Sequence, residues 1–149
     1  MIRLAAVDRY NWRELADLSV KPEQEQYLAS NVRSLAQAYA EPWCTPLGIY
    51  RGIEPVGFLL YGLDPDDRQY WVYRLMIDAR YQGNGYGEQA LGLLFESLRA
   101  DFAHDRVYIS VVQGNDHAKR INERMGFTAD GRVYRGEEIL VRPLRREHG

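Results

Sequence analysis

The sequence of 149 residues has little of what marks disulfide-bonded, membrane-spanning or nucleic-acid-binding proteins. Its single cysteine, Cys44, cannot form an intramolecular disulfide. No apolar run approaches the ~20 residues that span a bilayer, and residues 1–4 lack the profile of a signal peptide. The formal net charge of −2 argues against a nucleic-acid-binding protein. We therefore expect a cytoplasmic protein that binds neither membrane nor nucleic acid.

The composition is that of one compact enzyme-sized domain. A hydrophobic content of 46% and an aromatic content of 12% are enough for one core, and the length is short for two. We expect a single domain over residues 1–144, followed by a disordered tail over residues 145–149. No set of metal ligands is predicted.

The apolar pattern predicts a mixed α/β (α+β) protein with a sheet of about seven strands flanked by about four helices. The predicted strands are residues 2–7, 47–50, 56–61, 70–77, 106–112, 129–134 and 138–142. The predicted helices are residues 10–18, a second stretch running from Tyr27 to Tyr39, the segment after Gly87 and residues 115–126. Strand 70–77 is the most apolar, so it should be central, and Arg74 is its one charged residue. The helix after Gly87 should bury one face, formed by Ala90, Leu91, Leu94, Phe95, Leu98 and Phe102.

A glycine-rich turn, residues 82–87, lies between the central strand and the next helix and is typical of a phosphate site. The free N–H groups at a helix start and the helix dipole both favour negative charge. Glycines at 83, 85 and 87 let the backbone approach a pyrophosphate closely. The commonest phosphate-binding fingerprints are excluded, since the dinucleotide pattern would need glycine at Glu88 or Ala90. A Walker A loop would need Lys-Ser/Thr after Gly87.

What remains is the pattern Gln/Arg-x-x-Gly-x-Gly/Ala, here Gln82, Gly85 and Gly87, with a second motif downstream. Residues 115–127, Asn-Asp-His-Ala-Lys-Arg-Ile-Asn-Glu-Arg-Met-Gly-Phe, are similar to the N-x-x-A-x-x-L-Y-x-x-x-G-F run of the GNAT superfamily of N-acetyltransferases. The chain resembles that family over nearly its whole length. The resemblance implies the GNAT fold, with a mostly antiparallel sheet, and acetyl-CoA (coenzyme A) as the cofactor.

The resemblance also assigns residues to the cofactor. It implies that Gln82, Gly83, Asn84, Gly85, Tyr86 and Gly87 hold the pyrophosphate, and that Leu75, Met76 and Ile77 pair with the pantetheine arm as an added strand. Asn115 is expected to cap its own helix and also to contact the pantetheine arm. Lys119 and Arg120 either meet CoA phosphates or form a solvated helix face.

The implied reaction is direct attack of an amine on the thioester within a ternary complex, without an enzyme nucleophile. The backbone of Met76 or Ile77 would stabilise the oxyanion. Asn122 occupies the position where the family commonly has a tyrosine that protonates the thiolate, and an asparagine is no general acid. Solvent could take that role, or Tyr108 or Tyr134 could.

The acceptor is predicted from the first half of the chain, where acidic and aromatic residues suit an alkyl-ammonium ion. The acids are Glu23, Glu25, Glu41, Glu54, Asp64, Asp66 and Asp67. The segment from Leu18 to Tyr39 resembles that of bacterial spermine and spermidine acetyltransferases. On that basis Glu25, Tyr27, Tyr73 and Arg74 are the hypothesised acceptor contacts, and a small amine, such as a polyamine, is the expected substrate.

Two alternatives remain open at this point, and so does the oligomeric state. The first is a protein or peptide N-acetyltransferase, and the second is an acyl-CoA-binding sensor without turnover. Exposed edges of the C-terminal strands make a homodimer plausible.

Overall fold

The computed structural model describes residues 1–145. Its strands are β1 (Ile2–Ala6), β2 (Cys44–Arg51), β3 (Glu54–Leu63), β4 (Tyr70–Ile77), β5 (Arg106–Val112), β6 (Thr128–Tyr134) and β7 (Glu137–Pro143). Its helices are α1 (Trp12–Ala16), α2 (Asn31–Ala40), α3 (Tyr86–Leu98) and α4 (Asp116–Arg124), with 3₁₀ segments at Pro22–Tyr27 and Ala79–Tyr81.

The strands form one seven-stranded sheet in the order β1-β2-β3-β4-β5-β7-β6. All neighbours are antiparallel except β4 and β5, which are parallel. The prediction of a mostly antiparallel sheet of seven strands with four helices is confirmed, and β4 is the central strand.

The two faces of the sheet bury separate apolar cores. On one face Leu91, Leu94 and Phe95 of α3 pack against the strands together with residues of α4. On the other face Leu15 of α1 packs with Met76 of β4 and with side chains of β3 and α2. The helices α1 and α2 therefore lie on one side of β4, and α3 and α4 lie on the other.

The first two helices are shorter than predicted. Asp8 accepts hydrogen bonds from the backbone N–H groups of Tyr10 and Asn11 at 2.8 and 3.0 Å, which holds these residues in a turn before α1. The predicted second helical stretch is divided, because Tyr27 ends a 3₁₀ segment and α2 begins only after Ser30. Ser30 caps α2 by accepting a hydrogen bond from the third residue of the helix.

The prediction that Phe102 belongs to the buried face of α3 is wrong. Phe102 is 84% exposed, since α3 ends at Leu98 and the chain turns away before Phe102. The turn is held by Asp101, whose side chain accepts a hydrogen bond from the Ala103 N–H at 3.0 Å. The other five residues of the predicted helix face, Ala90, Leu91, Leu94, Phe95 and Leu98, are buried.

The C-terminal end is only partly described. Arg145, expected in the tail, donates hydrogen bonds to the backbone oxygens of Arg99, Asp101 and His104. Residues 146–149 lie outside the described residues. Within residues 1–145, none of the helices combines the length and apolarity needed to cross a membrane.

Candidate functional site

The parallel strands β4 and β5 separate towards their C-terminal ends. Their pairing runs from Tyr70 with Val107 to Val72 with Ile109 and then stops, although both strands continue. At the paired end, Trp71 stacks on Tyr108 with ring centroids 5.1 Å apart. The separation opens a cleft of about 640 Å³ between the two strands.

The register of β4 determines which of its backbone groups face this gap. Asp78 donates its N–H to the oxygen of Val56 at 2.8 Å, so Asp78 faces β3. In an antiparallel pair the direction alternates along the strand, and the register continues through Met76 opposite Phe58. The Met76 N–H therefore points to β3, whereas the backbone groups of Leu75 and Ile77 point to the gap. Of the two backbone groups expected at the oxyanion, only that of Ile77 has the direction required.

The glycine-rich turn presents free N–H groups at the end of the cleft. Gly83 and Gly85 have φ of +86° and +76°, a conformation that favours glycine. None of the described residues accepts a hydrogen bond from the N–H groups of residues 83–88, and the first such bond of the helix runs from Gln89 to Gly85 at 3.1 Å. A Cβ at Gly83 or Gly85 would meet no other atom within 4 Å. The turn can therefore bind an anion through its backbone.

Two glutamines fix the position of this turn. The Gln82 side chain donates to the oxygen of Ile77 at 2.9 Å, which joins the turn to the end of β4. It also exchanges two hydrogen bonds with the side chain of Gln24, at 2.8 and 3.2 Å. Gln24 belongs to the 3₁₀ segment before α2, so this amide pair connects the two sides of the cleft.

A buried aspartate holds the segment between β4 and the turn. Asp78 accepts hydrogen bonds from the Ser19 N–H at 3.1 Å, from the Arg80 N–H at 3.0 Å and from Arg80 Nε at 2.9 Å. Burial alone would raise the pKa of Asp78, but these hydrogen bonds outweigh it and lower the pKa below its usual value.

The second motif lies on α4, where its residues have different surroundings. Asn115 caps α4 by accepting a hydrogen bond from the Ala118 N–H at 3.4 Å, as expected, and it also lines the cleft. Asn122 is 4% exposed and lines the cleft, and none of the described residues forms a hydrogen bond with its side chain. Its amide is therefore available to a ligand.

Three of the expected cofactor residues do not line the cleft. Lys119 forms an ion pair with Glu138 at 3.0 Å, and Arg120 lies near it on α4. The Asn84 side chain donates to the oxygen of Tyr81 at 2.9 Å, which stabilises the glycine turn from outside. The remaining expected cofactor residues are brought together in the cleft, namely Leu75, Met76, Ile77, Gln82, Gly83, Gly85, Tyr86, Gly87 and Asn115.

A β-bulge in β4 turns two consecutive side chains towards α2. The register with β3 passes from Arg74 to Val72 and skips Tyr73, so Tyr73 and Arg74 lie on the same face of the sheet. Tyr73 donates its hydroxyl to Asp64 at 2.7 Å, and burial together with this bond raises the pKa of Tyr73. Arg74 donates to Gln37 of α2 at 3.2 Å, and burial lowers its pKa.

The expected acidic pocket for the acceptor is not formed by the predicted acids. Glu25 is exposed, and neither it nor any of the other six predicted acids lines the cleft. Of the expected acceptor contacts, Tyr27, Tyr73 and Arg74 do line it. The cleft carboxylates are instead Glu88, which pairs with Arg124 at 3.0 Å, and Glu137.

Several cleft residues were not predicted from the sequence. They are Arg33, Ser110, His117 and Glu137. Tyr108 and Tyr134, proposed from the sequence as alternative acids, do not line the cleft, and Tyr134 is 61% exposed. The alternation of β5 places Ser110 on the face of Tyr108, but nothing in the sequence indicates that Glu137 lies beside it.

The cysteine is remote from this chemistry. Cys44 is buried in the core beneath α1 and α2 and does not line the cleft. Burial, assisted by the neighbouring Glu41 carboxylate, raises the pKa of the Cys44 thiol to about 11. The thiol is therefore protonated and unreactive near neutral pH.

The comparisons with known proteins agree with this geometry. The sequence profile of the acetyltransferase (GNAT) family matches residues 10–127. A spermine/spermidine N(1)-acetyltransferase from Bacillus subtilis (strain 168) is 33% identical over 150 residues, covering 96% of this chain and 99% of that protein.

Solved structures share the fold at lower sequence identity. An aminoglycoside acetyltransferase in complex with coenzyme A superimposes with a TM-score of 0.79 at 17% identity, over 96% of this chain and 95% of that one. A spermidine N-acetyltransferase from Vibrio cholerae in complex with CoA and spermine superimposes with a TM-score of 0.71 at 15% identity, over 94% and 92% of the two chains.

Proposed function

The chain belongs to the acetyltransferase (GNAT) family, whose cofactor is acetyl-CoA, and from this premise we propose that it acetylates a primary amine of a small molecule by direct attack in a ternary complex. A polyamine such as spermidine or spermine is the first acceptor to test, because the Bacillus relative is named a spermine/spermidine N(1)-acetyltransferase. The observation that carries the proposal is the gap between β4 and β5, which leaves backbone groups of β4 free beside an anion-binding turn.

The residues present fit acetyl-CoA. The free N–H groups of residues 83–88 would hold its pyrophosphate, and the backbone groups of Leu75 and the N–H of Ile77, which face the gap, would pair with its pantetheine arm. When bound, the cofactor supplies an activated acetyl group as a thioester. The Ile77 N–H would then donate to the carbonyl oxygen as negative charge develops on it.

Direct attack is supported by the state of the only cysteine. An acyl-enzyme route through cysteine would need a thiol in the cleft, and Cys44 is buried elsewhere as a protonated thiol. An amine that enters from the side of α2 would meet the thioester in the gap without any intermediate carrier.

The charges on the acceptor side bear on the choice of amine. Arg33 and Arg74 both line the cleft, and neither forms an ion pair with a carboxylate among the described residues. Arg74 is half-buried, and a half-buried arginine is stabilised by a negative group, so an amine that also carries a carboxylate is a second candidate class. A polyamine must keep its distal ammonium groups away from both arginines.

Release of CoA, followed with a thiol reagent, tests the proposal. The panel contains spermidine, spermine, lysine, short peptides and an amine-free control. It also contains 1,6-diaminohexane and 6-aminohexanoate, which have the same length and differ at the far end by charge. Faster turnover of the diamines supports the polyamine acceptor, and faster turnover of 6-aminohexanoate supports an acceptor bound by the arginines.

Two outcomes would contradict the proposal. Turnover of peptides alone would indicate a protein or peptide N-acetyltransferase. Absence of turnover with every amine, while acetyl-CoA still raises the melting temperature, would indicate an acyl-CoA-binding sensor.

A further inference from the structure

Glu137 is a cleft carboxylate that none of the motifs accounts for. It is the first residue of β7, and it lines the same cleft as the ends of β4 and β5. The other cleft carboxylate, Glu88, is neutralised by Arg124. Among the described residues, no lysine, arginine or histidine forms an ion pair with Glu137. It is therefore the cleft carboxylate without an ion-pair partner among these residues.

The alternation of β7 places Glu137 on the acceptor side. Its neighbour Glu138 pairs with Lys119 of α4, so Glu138 faces the side of the sheet that α3 and α4 cover. Successive side chains of a strand point to opposite faces, so Glu137 points to the face of α2. Ser110 of β5 lies on that face and donates its hydroxyl to Glu137 at 3.4 Å.

Arg74 lies on the same face, on the other wall of the gap. The hydrogen bond from Arg74 to Gln37 of α2 fixes this orientation. Burial is the main influence on the pKa of Arg74 and lowers it, and the largest opposing influence is the charge of Glu137. The gap between β4 and β5 is thus bordered on the acceptor side by Arg74 from β4 and by Glu137 with Ser110 from the β5 side.

We propose that Glu137 binds the acceptor ammonium and accepts its proton during acetyl transfer, with Ser110 as the residue that positions the carboxylate. This inference rests on the proposed acetylation of an amine. Glu137 first takes a proton from the bound ammonium and passes it to solvent, which frees the nitrogen lone pair. As this lone pair forms the new C–N bond, the C–S bond breaks and its electron pair leaves with sulfur. The second nitrogen proton then goes to Glu137, and sulfur takes a proton from solvent. The products are the acetylated amine and CoA as its thiol.

An acceptor of this kind needs a base because almost none of it is neutral at pH 7. With an amine pKa of about 10.4, roughly one molecule in 2,500 carries a free lone pair. A carboxylate in the cleft binds the abundant ammonium form and takes a proton from it, which provides the neutral amine that can attack. Other titratable groups lining this side are Tyr27, Arg33, Tyr73 and Arg74, while His117 lines the cleft from α4 on the opposite side. They include no second carboxylate.

The test compares Glu137→Gln with Glu138→Gln, which removes a carboxylate from the adjacent residue on the opposite face. With the best amine of the panel, Glu137→Gln is expected to lower kcat/KM at pH 7 about 100-fold, the lower end of the range for a positioned acid or base. The deficit should shrink as pH rises towards 10, because the amine then loses its proton in solution. Glu138→Gln should stay within about twofold of the unsubstituted protein, and acetyl-CoA should raise the melting temperature of all three equally.

The inference is overturned if Glu137→Gln matches Glu138→Gln at every pH. Should Glu137→Gln fail to fold, Glu137→Asp replaces it. This variant keeps the charge but moves the carboxylate. A pH profile of kcat with the same shape as that of the unsubstituted protein but a lower maximum supports the proposal, and an unchanged kcat overturns it.

A separate measurement distinguishes failure of this inference from failure of the proposed function. Absence of turnover by the unsubstituted protein counts against the proposed function alone. In that case spermidine is titrated onto the CoA-loaded protein by calorimetry. Binding that is at least about tenfold weaker in Glu137→Gln than in Glu138→Gln supports the ammonium site, and equal binding overturns it.

Discussion

Replacement of Gly85 by alanine tests the anion-binding turn through its backbone. Gly85 has φ of +76°, and a residue with a Cβ in this conformation costs about 1–2 kcal/mol. A protein of this size loses about 2–4 °C in melting temperature per kcal/mol. We therefore expect Gly85→Ala to melt roughly 2–8 °C lower than the unsubstituted protein. No packing clash adds to this loss, because the new Cβ would meet no other atom within 4 Å.

The same methyl group should weaken cofactor binding by more than the loss of stability explains. Gly85 lines the cleft beside the free N–H groups of residues 83–88, so the Cβ would occupy space that the phosphates need. A loss of about 1.4 kcal/mol in binding corresponds to a tenfold rise in Kd. We expect at least that rise for acetyl-CoA, measured by calorimetry or by the thermal shift at saturating cofactor.

Gly92→Ala is the matched control. Gly92 lies inside α3, its added Cβ also meets no atom within 4 Å, and its φ is outside the left-handed region. Alanine in a helix interior is favoured over glycine by about 0.5–1 kcal/mol. Gly92→Ala should therefore melt higher and bind acetyl-CoA unchanged. If Gly85→Ala binds acetyl-CoA as tightly as Gly92→Ala, the turn is not the phosphate site.

Three further predictions concern residues around the cleft. Asn122→Tyr should turn over faster than Asn122→Phe, because only the tyrosine adds a proton donor where the family commonly has one; equal rates would exclude this role. Asp78→Asn should destabilise the fold by about 2–3 kcal/mol, since it weakens charged hydrogen bonds with Arg80 and the backbone. The lowered pKa of Asp78 means that its contribution is present above the unfolded value of about 3.9 and is lost as pH falls through the folded value. Urea melts between pH 2 and 7 should show that the difference in free energy of unfolding between the unsubstituted protein and Asp78→Asn shrinks below about pH 4. Gln24→Ala should raise the acetyl-CoA KM several-fold by releasing Gln82, while an unchanged KM would make the amide pair irrelevant to binding.

The sequence predicted the fold correctly where the local pattern of apolar residues and glycines agrees with the tertiary structure. The apolar run of β4 and the glycines before α3 act within a few residues, so the sequence alone indicates both the central strand and the turn. Phe102 shows the limit of this approach. It continues the apolar period of α3, but the helix ends before it, and the ending depends on the turn held by Asp101.

The acceptor side could not be predicted because its residues are brought together by strand register. The bulge at Tyr73 turns Tyr73 and Arg74 to the same face, and a strict alternation would have separated them. Glu137 reaches Ser110 only because β7 inserts between β5 and β6 in the sheet. The acids predicted from composition, such as Glu25, have no comparable reason to point into the cleft.

Two features of the site, Asn122 in place of the tyrosine common in the family and Glu137 as a carboxylate without an ion pair, are linked by the proton balance of the reaction. At pH 7 a thiol with a pKa near 8.5 is about 3% ionised, whereas an amine with a pKa near 10.4 is only about 0.04% neutral. The difference is roughly 80-fold, so removing the amine proton is a harder task than accepting a thiolate as the leaving group. A cleft that has only a base for the amine, or only an acid for the thiolate, therefore loses less catalytic rate if it has the base. This reasoning predicts that Asn122→Tyr changes turnover by a smaller factor than Glu137→Gln, and the reverse order would refute it.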